Sequence, residues 1–96
     1  MTTSMAPHMR VEAFCLGSFV LEITSERKPA GNEWPIRCQV RKQHRGEFPG
    51  ADTSPKAAST RTKSLDMAID RLAAEEIDAV EFVQLLRRQF RHREVR

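Results

Sequence analysis

The 96-residue sequence has no tyrosine, one tryptophan, two cysteines and four glycines. Each shortage excludes something. Two cysteines are too few for a disulfide-stapled secreted miniprotein. Neither Cys15 nor Cys38 has a second Cys or a His at the close spacing of a metal-ligating pair, and His8, His44 and His92 are scattered, so no metal site is expected. The glycines form no phosphate-cradling loop, and no Gly-x-Ser-x-Gly elbow marks a nucleophile. The lack of tyrosine weakens the aromatic platform on which single-stranded nucleic acid stacks. No apolar run approaches the roughly 20 residues of a membrane span. Residues 1–9 lack the basic-then-apolar pattern of a secretory signal and read as a flexible tail. These absences predict a cytoplasmic protein with reduced thiols. They predict no membrane contact, no cofactor, no small-molecule ligand and no catalytic residue.

What remains is ordinary globular material, with 40% apolar and 30% charged residues and a net charge of +3. Residues 10–16 and 19–25 are rich in β-branched and aromatic side chains and flank Gly17-Ser18. Glycine first in a two-residue loop is the signature of a type II′ hairpin turn. Pairing Leu16 with Phe19 sets Phe14 opposite Leu21, with Val11, Ala13 and Cys15 on the other face. Residues 34–41 alternate cleanly, Trp34, Ile36, Cys38 and Val40 against Arg37, Gln39 and Arg41, and predict a third strand with Cys38 and Val40 toward the core. Residues 42–55 read as a loop that Phe48 pins to the core. Residues 56–63 are open, either a fourth strand or a lead-in. No Gly or Pro follows Pro55, and the apolar spacing there becomes helical. Ser64 is a candidate N-cap, and Asp78 with Glu81 resembles a capping box. Two helices follow, about 65–76 and 79–92, or one bent helix in their place. Strands first and helices after predict an α+β fold, a three- or four-stranded antiparallel sheet with helices on one face. The domain is expected over residues 10–92, with a basic end at 93–96.

Ala30, Gly31 and Trp34, set between a Gly-initiated strand and a second alternating strand, complete a pattern that resembles small proteobacterial sheet-then-helix domains over about residues 17–74. Those domains have no established activity, so the resemblance implies the element order alone.

The charge is unevenly spread. Residues 37–63 carry seven basic and two acidic residues, residues 64–86 one and six, and residues 87–96 five and one. Two basic blocks thus flank an acidic one. Arg37, Arg41, Lys42 and Arg45 with Arg87, Arg88, Arg91 and Arg93 are candidate contacts to a polyanion such as nucleic acid, since phosphate binding needs many cations with reach. The same distribution complements a helix dipole with no ligand at all. The acids Asp66, Asp70, Glu75, Glu76, Asp78 and Glu81 read as a solvated helix face.

A second candidate surface is apolar. Phe82, Leu86 and Phe90 form a stripe on the second helix in excess of what one small sheet requires, and Trp34 is an aromatic anchor at a strand end. With Val11, Ala13 and Val20 on the outer sheet face, they predict a protein partner or a second copy of the chain. The sequence therefore favours a small non-enzymatic binding or regulatory protein acting through protein contacts, with nucleic-acid binding as the alternative and a small enzyme assembled in an oligomer as the remotest.

Overall fold

A computed structural model of the chain describes residues 9–26 and 36–95. The elements run β1 (Met9–Cys15), β2 (Phe19–Glu26), β3 (Ile36–Lys42), α1 (Pro55–Ala73), α2 (Ala79–Gln89) and β4 (His92–Val95). The strands form one antiparallel sheet in the order β3-β2-β1-β4, and the fold is α+β. No helix among the described residues is long and apolar enough to cross a membrane.

The β1–β2 hairpin has the predicted register. Phe14 pairs with Leu21 and Cys15 with Val20, and the Leu16 N–H donates to the Phe19 carbonyl at 2.8 Å. Gly17 has φ +93°, and a Cβ there would lie 3.3 Å from the Ala58 side chain. Only glycine gives both the turn and that close approach of α1.

Two boundaries differ from the sequence expectation. Residues 56–63 are neither strand nor lead-in but the first turns of α1. The Ser54 hydroxyl accepts from the Ala57 N–H at 3.2 Å, and Pro55 sits in the first turn, where its missing N–H costs nothing. Ser64 is therefore within the helix. The second helix stops at Gln89. Phe90 is extended, with φ −125° and ψ 150°, and turns the chain into β4, which pairs with β1 from Val11↔Val95 to Phe14↔His92. The segment expected as a basic end at 93–96 is thus part of an edge strand up to Val95.

The helices are two, not one. Glu76 N–H donates to Arg71 O and Glu75 N–H to Leu72 O, the paired bonds of a Schellman stop. Glu75 takes the left-handed position, φ +60°, that glycine usually fills. Asp78 and Glu81 then cap α2 reciprocally, at 2.8 and 3.3 Å.

The two sheet faces are covered differently. On the inner face Phe14, Leu16, Leu21 and Ile23 pack with Leu65, Ala68, Ile77, Phe82, Val83, Leu86 and Phe90. On the outer face Ala13, Cys15 and Val20 pack against Phe48 alone among large aromatics.

Candidate interaction surface

The α2 stripe is not available to a partner. Phe82, Leu86 and Phe90 are all buried in the domain's own inner core. The expectation of an unpartnered second helix is corrected for a simple reason: α1 and α2 pack side by side on the inner face of β1 and β2, and the α2 stripe joins that one core. The outer-face apolar residues are corrected likewise, because Phe48 buries Ala13 and Val20. Trp34 and the Ala30, Gly31 and Trp34 pattern lie outside the described residues.

The basic candidates divide into occupied and unoccupied cations. Arg41 is held by two carboxylates. Its Nε meets Glu22 at 2.7 Å, while Nη1 and Nη2 grip Glu47 at 2.9 and 2.6 Å. The Glu47 side chain is only 2% exposed. The Arg41 guanidinium, helped by the His44 backbone N–H, holds the Glu47 carboxyl down at about 2, and Arg41 itself is pushed further up by the same bonds. Arg93 reaches the same Glu47 oxygen at 3.9 Å. Arg91 donates to the Pro49 carbonyl at 2.9 Å. The two basic blocks do converge, but on the loop that carries Phe48, where Arg41, Arg91 and Arg93 fasten it across the outer face. Arg87 forms a bidentate pair with buried Glu12, at 2.8 and 2.7 Å, which raises its own pKa and ties α2 to β1. Arg41 and Arg87 are therefore structural clamps rather than open phosphate contacts. Arg37, Lys42, Arg45 and Arg88 are exposed and lie in no ion pair among the described residues.

No group of three or more His, Cys, Asp or Glu side chains among the described residues is placed to hold a metal ion. Both thiols are free, with burial opposite to the expectation. Cys15, on the outer face, is sealed under Phe48. Cys38, on the inner face, is exposed, although partial desolvation still raises its thiol.

The exposure of Cys38 points to the surface that the sequence did not reveal. Cys38 pairs with Ile23 and Val40 with Leu21, and both partners on β2 are buried. One strand further out, Val40 is 58% exposed, and Phe19, opposite Lys42, is 45% exposed. Among the described residues the helix layer thus reaches β3 only at Ile36, which packs at the edge of the inner core, and leaves Cys38 and Val40 on the inner side of β3 uncovered. The backbone edge of β3 has no partner strand among the described residues. Gln43 N–H donates to Ser18 O. By the alternation of an antiparallel ladder, residues 37, 39 and 41 bond to β2, so the N–H and C=O of Ile36, Cys38, Val40 and Lys42 point outward. Compared with known protein families, curated proteins and solved structures, the chain matches none.

Proposed function

We propose that the chain is a small non-enzymatic binding protein that acts through protein–protein contacts, and that its contact surface is β3. The observation that carries this reading is the coincidence of a strand edge that has no partner among the described residues with exposed apolar side chains, Val40 at 58% exposure and Phe19 at 45%. An edge of this kind is completed by another strand, whose main chain supplies affinity while side chains on alternate positions supply selectivity. An exposed free thiol beside it suits a reducing compartment, the cytoplasm.

The test is a photo-crosslinking amino acid installed at position 40 in cells, with position 88 on α2 as the comparison. Adducts from position 40 and none from position 88 are expected. Absence of any adduct from position 40 overturns the reading. Nucleic-acid binding is the second reading, carried by the exposed Arg37, Lys42, Arg45 and Arg88. It predicts affinity for mixed-sequence DNA or RNA that falls steeply with salt and weakens in Arg37→Ala/Arg45→Ala. No binding at low salt removes it.

A further inference from the structure

We infer that the β3 edge is completed by a second copy of this chain, paired antiparallel about a two-fold axis at Cys38. This rests on the proposed role of β3 as the contact surface and names its occupant.

The strand is complementary to itself in this register. A dyad at Cys38 sets Cys38 opposite Cys38 of the second copy, Ile36 opposite Val40, and Arg37 opposite Gln39. Every outward-pointing backbone group from 36 to 40 then meets its counterpart, with about six inter-chain hydrogen bonds by the alternation of the ladder. On the inner side the apolar Ile36, Cys38 and Val40 meet only one another. On the outer side no like charges face each other. Moving the dyad to Gln39 places Arg37 directly against Arg41 twice, a repulsive pairing. Moving it to Val40 sets Cys38 against Lys42 and breaks the apolar row. Arg41 is already drawn toward Glu22 and Glu47 and is not a stray charge at the joint.

The assembly also stops at two. Pairing β3 with β3 consumes both apolar edges and gives a continuous eight-stranded sheet with β4 at each end. β4 is only four residues long, and its His92, Arg93 and Glu94 are exposed. Short, charged edges of that kind resist further pairing. The contact spans few residues, well below the roughly 800 Å² per partner of a standard stable interface, so a weak, concentration-dependent dimer is expected.

The register provides its own test, because about 5.5 Å between opposed Cα atoms lies within disulfide reach. Purified wild-type chain treated with diamide is expected to give a disulfide dimer, at least tenfold faster than an Arg45→Cys/Cys38→Ser variant, which carries its thiol at an exposed position off the axis. Cys38→Ser loses the dimer, and Cys15→Ser keeps it. Val40→Cys in the Cys38→Ser background stays monomeric, since Val40 faces Ile36 rather than itself. Val40→Lys is expected to slow trapping through Cys38 at least tenfold, with unchanged circular dichroism showing that the fold survives. Sedimentation of the reduced wild-type chain should show a monomer–dimer equilibrium that Val40→Lys abolishes. A reduced chain that stays monomeric at several hundred micromolar overturns self-pairing, as does trapping indifferent to Val40→Lys. If self-pairing fails while position 40 still crosslinks a different protein in cells, the contact surface stands and only its occupant is wrong. If neither occurs, both readings fall.

Discussion

The two faces of the sheet are closed by unlike means. Over the inner face, two helices contribute five buried side chains and the residues flanking α2, Ile77 and Phe90, two more, which interlock with β1 and β2, and Arg87 ties α2 to Glu12 below it. Over the outer face lies one loop with one aromatic, Phe48, fastened by Arg41, Arg91 and Arg93 through Glu47 and Pro49. The first covering is collective: no single residue is the whole of it, and its loss is unfolding. The second hangs on one ring and one carboxylate, so it is expected to open locally while the rest of the domain stays folded.

Substitutions can press on either side of that contrast. The largest effect is expected from Phe82→Ala, which empties the inner core and should lower unfolding stability by about 3–5 kcal/mol in urea titration. Phe48→Ala removes the outer anchor and should cost about 3 kcal/mol or less. Its signature is local: Cys15 becomes reactive to thiol reagents under conditions where inner-core amides remain protected from exchange. Equal exposure of both faces in Phe48→Ala would mean that the two coverings are one cooperative unit. Arg87→Ala leaves the Glu12 carboxylate buried without its partner. Because Arg87 is itself one-third exposed, a loss of about 2 kcal/mol is expected.

Acid separates the faces in a different way. The Glu47 carboxyl titrates at about 2 in the folded chain, below its ordinary 4.5. Its contribution is therefore complete above about pH 4.5 and is lost as pH falls toward 2. Urea midpoints measured at pH 5.5 and 3 should fall less between the two in Glu47→Gln than in the wild type. The smallest effect is expected at the helix junction. Glu75→Gly relieves the left-handed backbone at φ +60° and should stabilise by about 0.5–1 kcal/mol, offset in part by the freer unfolded chain.

Local chemistry was legible in the sequence, and long-range pairing was not. The hairpin, its register and the Asp78–Glu81 cap are set by residues within a few positions of one another, and they fold as those residues indicate. The start of α1 also carries a local signal, Ser54 followed by Pro55, but it lies ahead of the apolar stripe that begins at Leu65, and the stripe alone places the start at Ser64. β4 had none. Its His-Arg-Glu-Val sequence does not alternate in polarity, and it becomes a strand only because β1 offers an edge. That omission propagated. Without β4, β2 is the middle of a three-stranded sheet, and the helices are expected over Cys38 and Val40. In the four-stranded sheet the helices pack on β1 and β2, Ile36 of β3 reaches the margin of that core, and Cys38 and Val40 are left exposed. The same distance hides the Glu12–Arg87 pair, whose members lie 75 residues apart. Phe48 was recognised as an anchor, but no spacing rule says which face a loop residue will choose.

The β1–β4 pairing has a consequence for the order in which the protein comes together. The hairpin closes across a two-residue turn, whereas β1's other flank waits for residues 92–95. During synthesis that flank remains bare until nearly everything between has emerged from the ribosome, since a contact so distant along the chain cannot form sooner. A bulky fusion placed directly after Val95 would therefore be expected to hinder the last stitch of the sheet, whereas the same fusion ahead of β1 would leave it untouched.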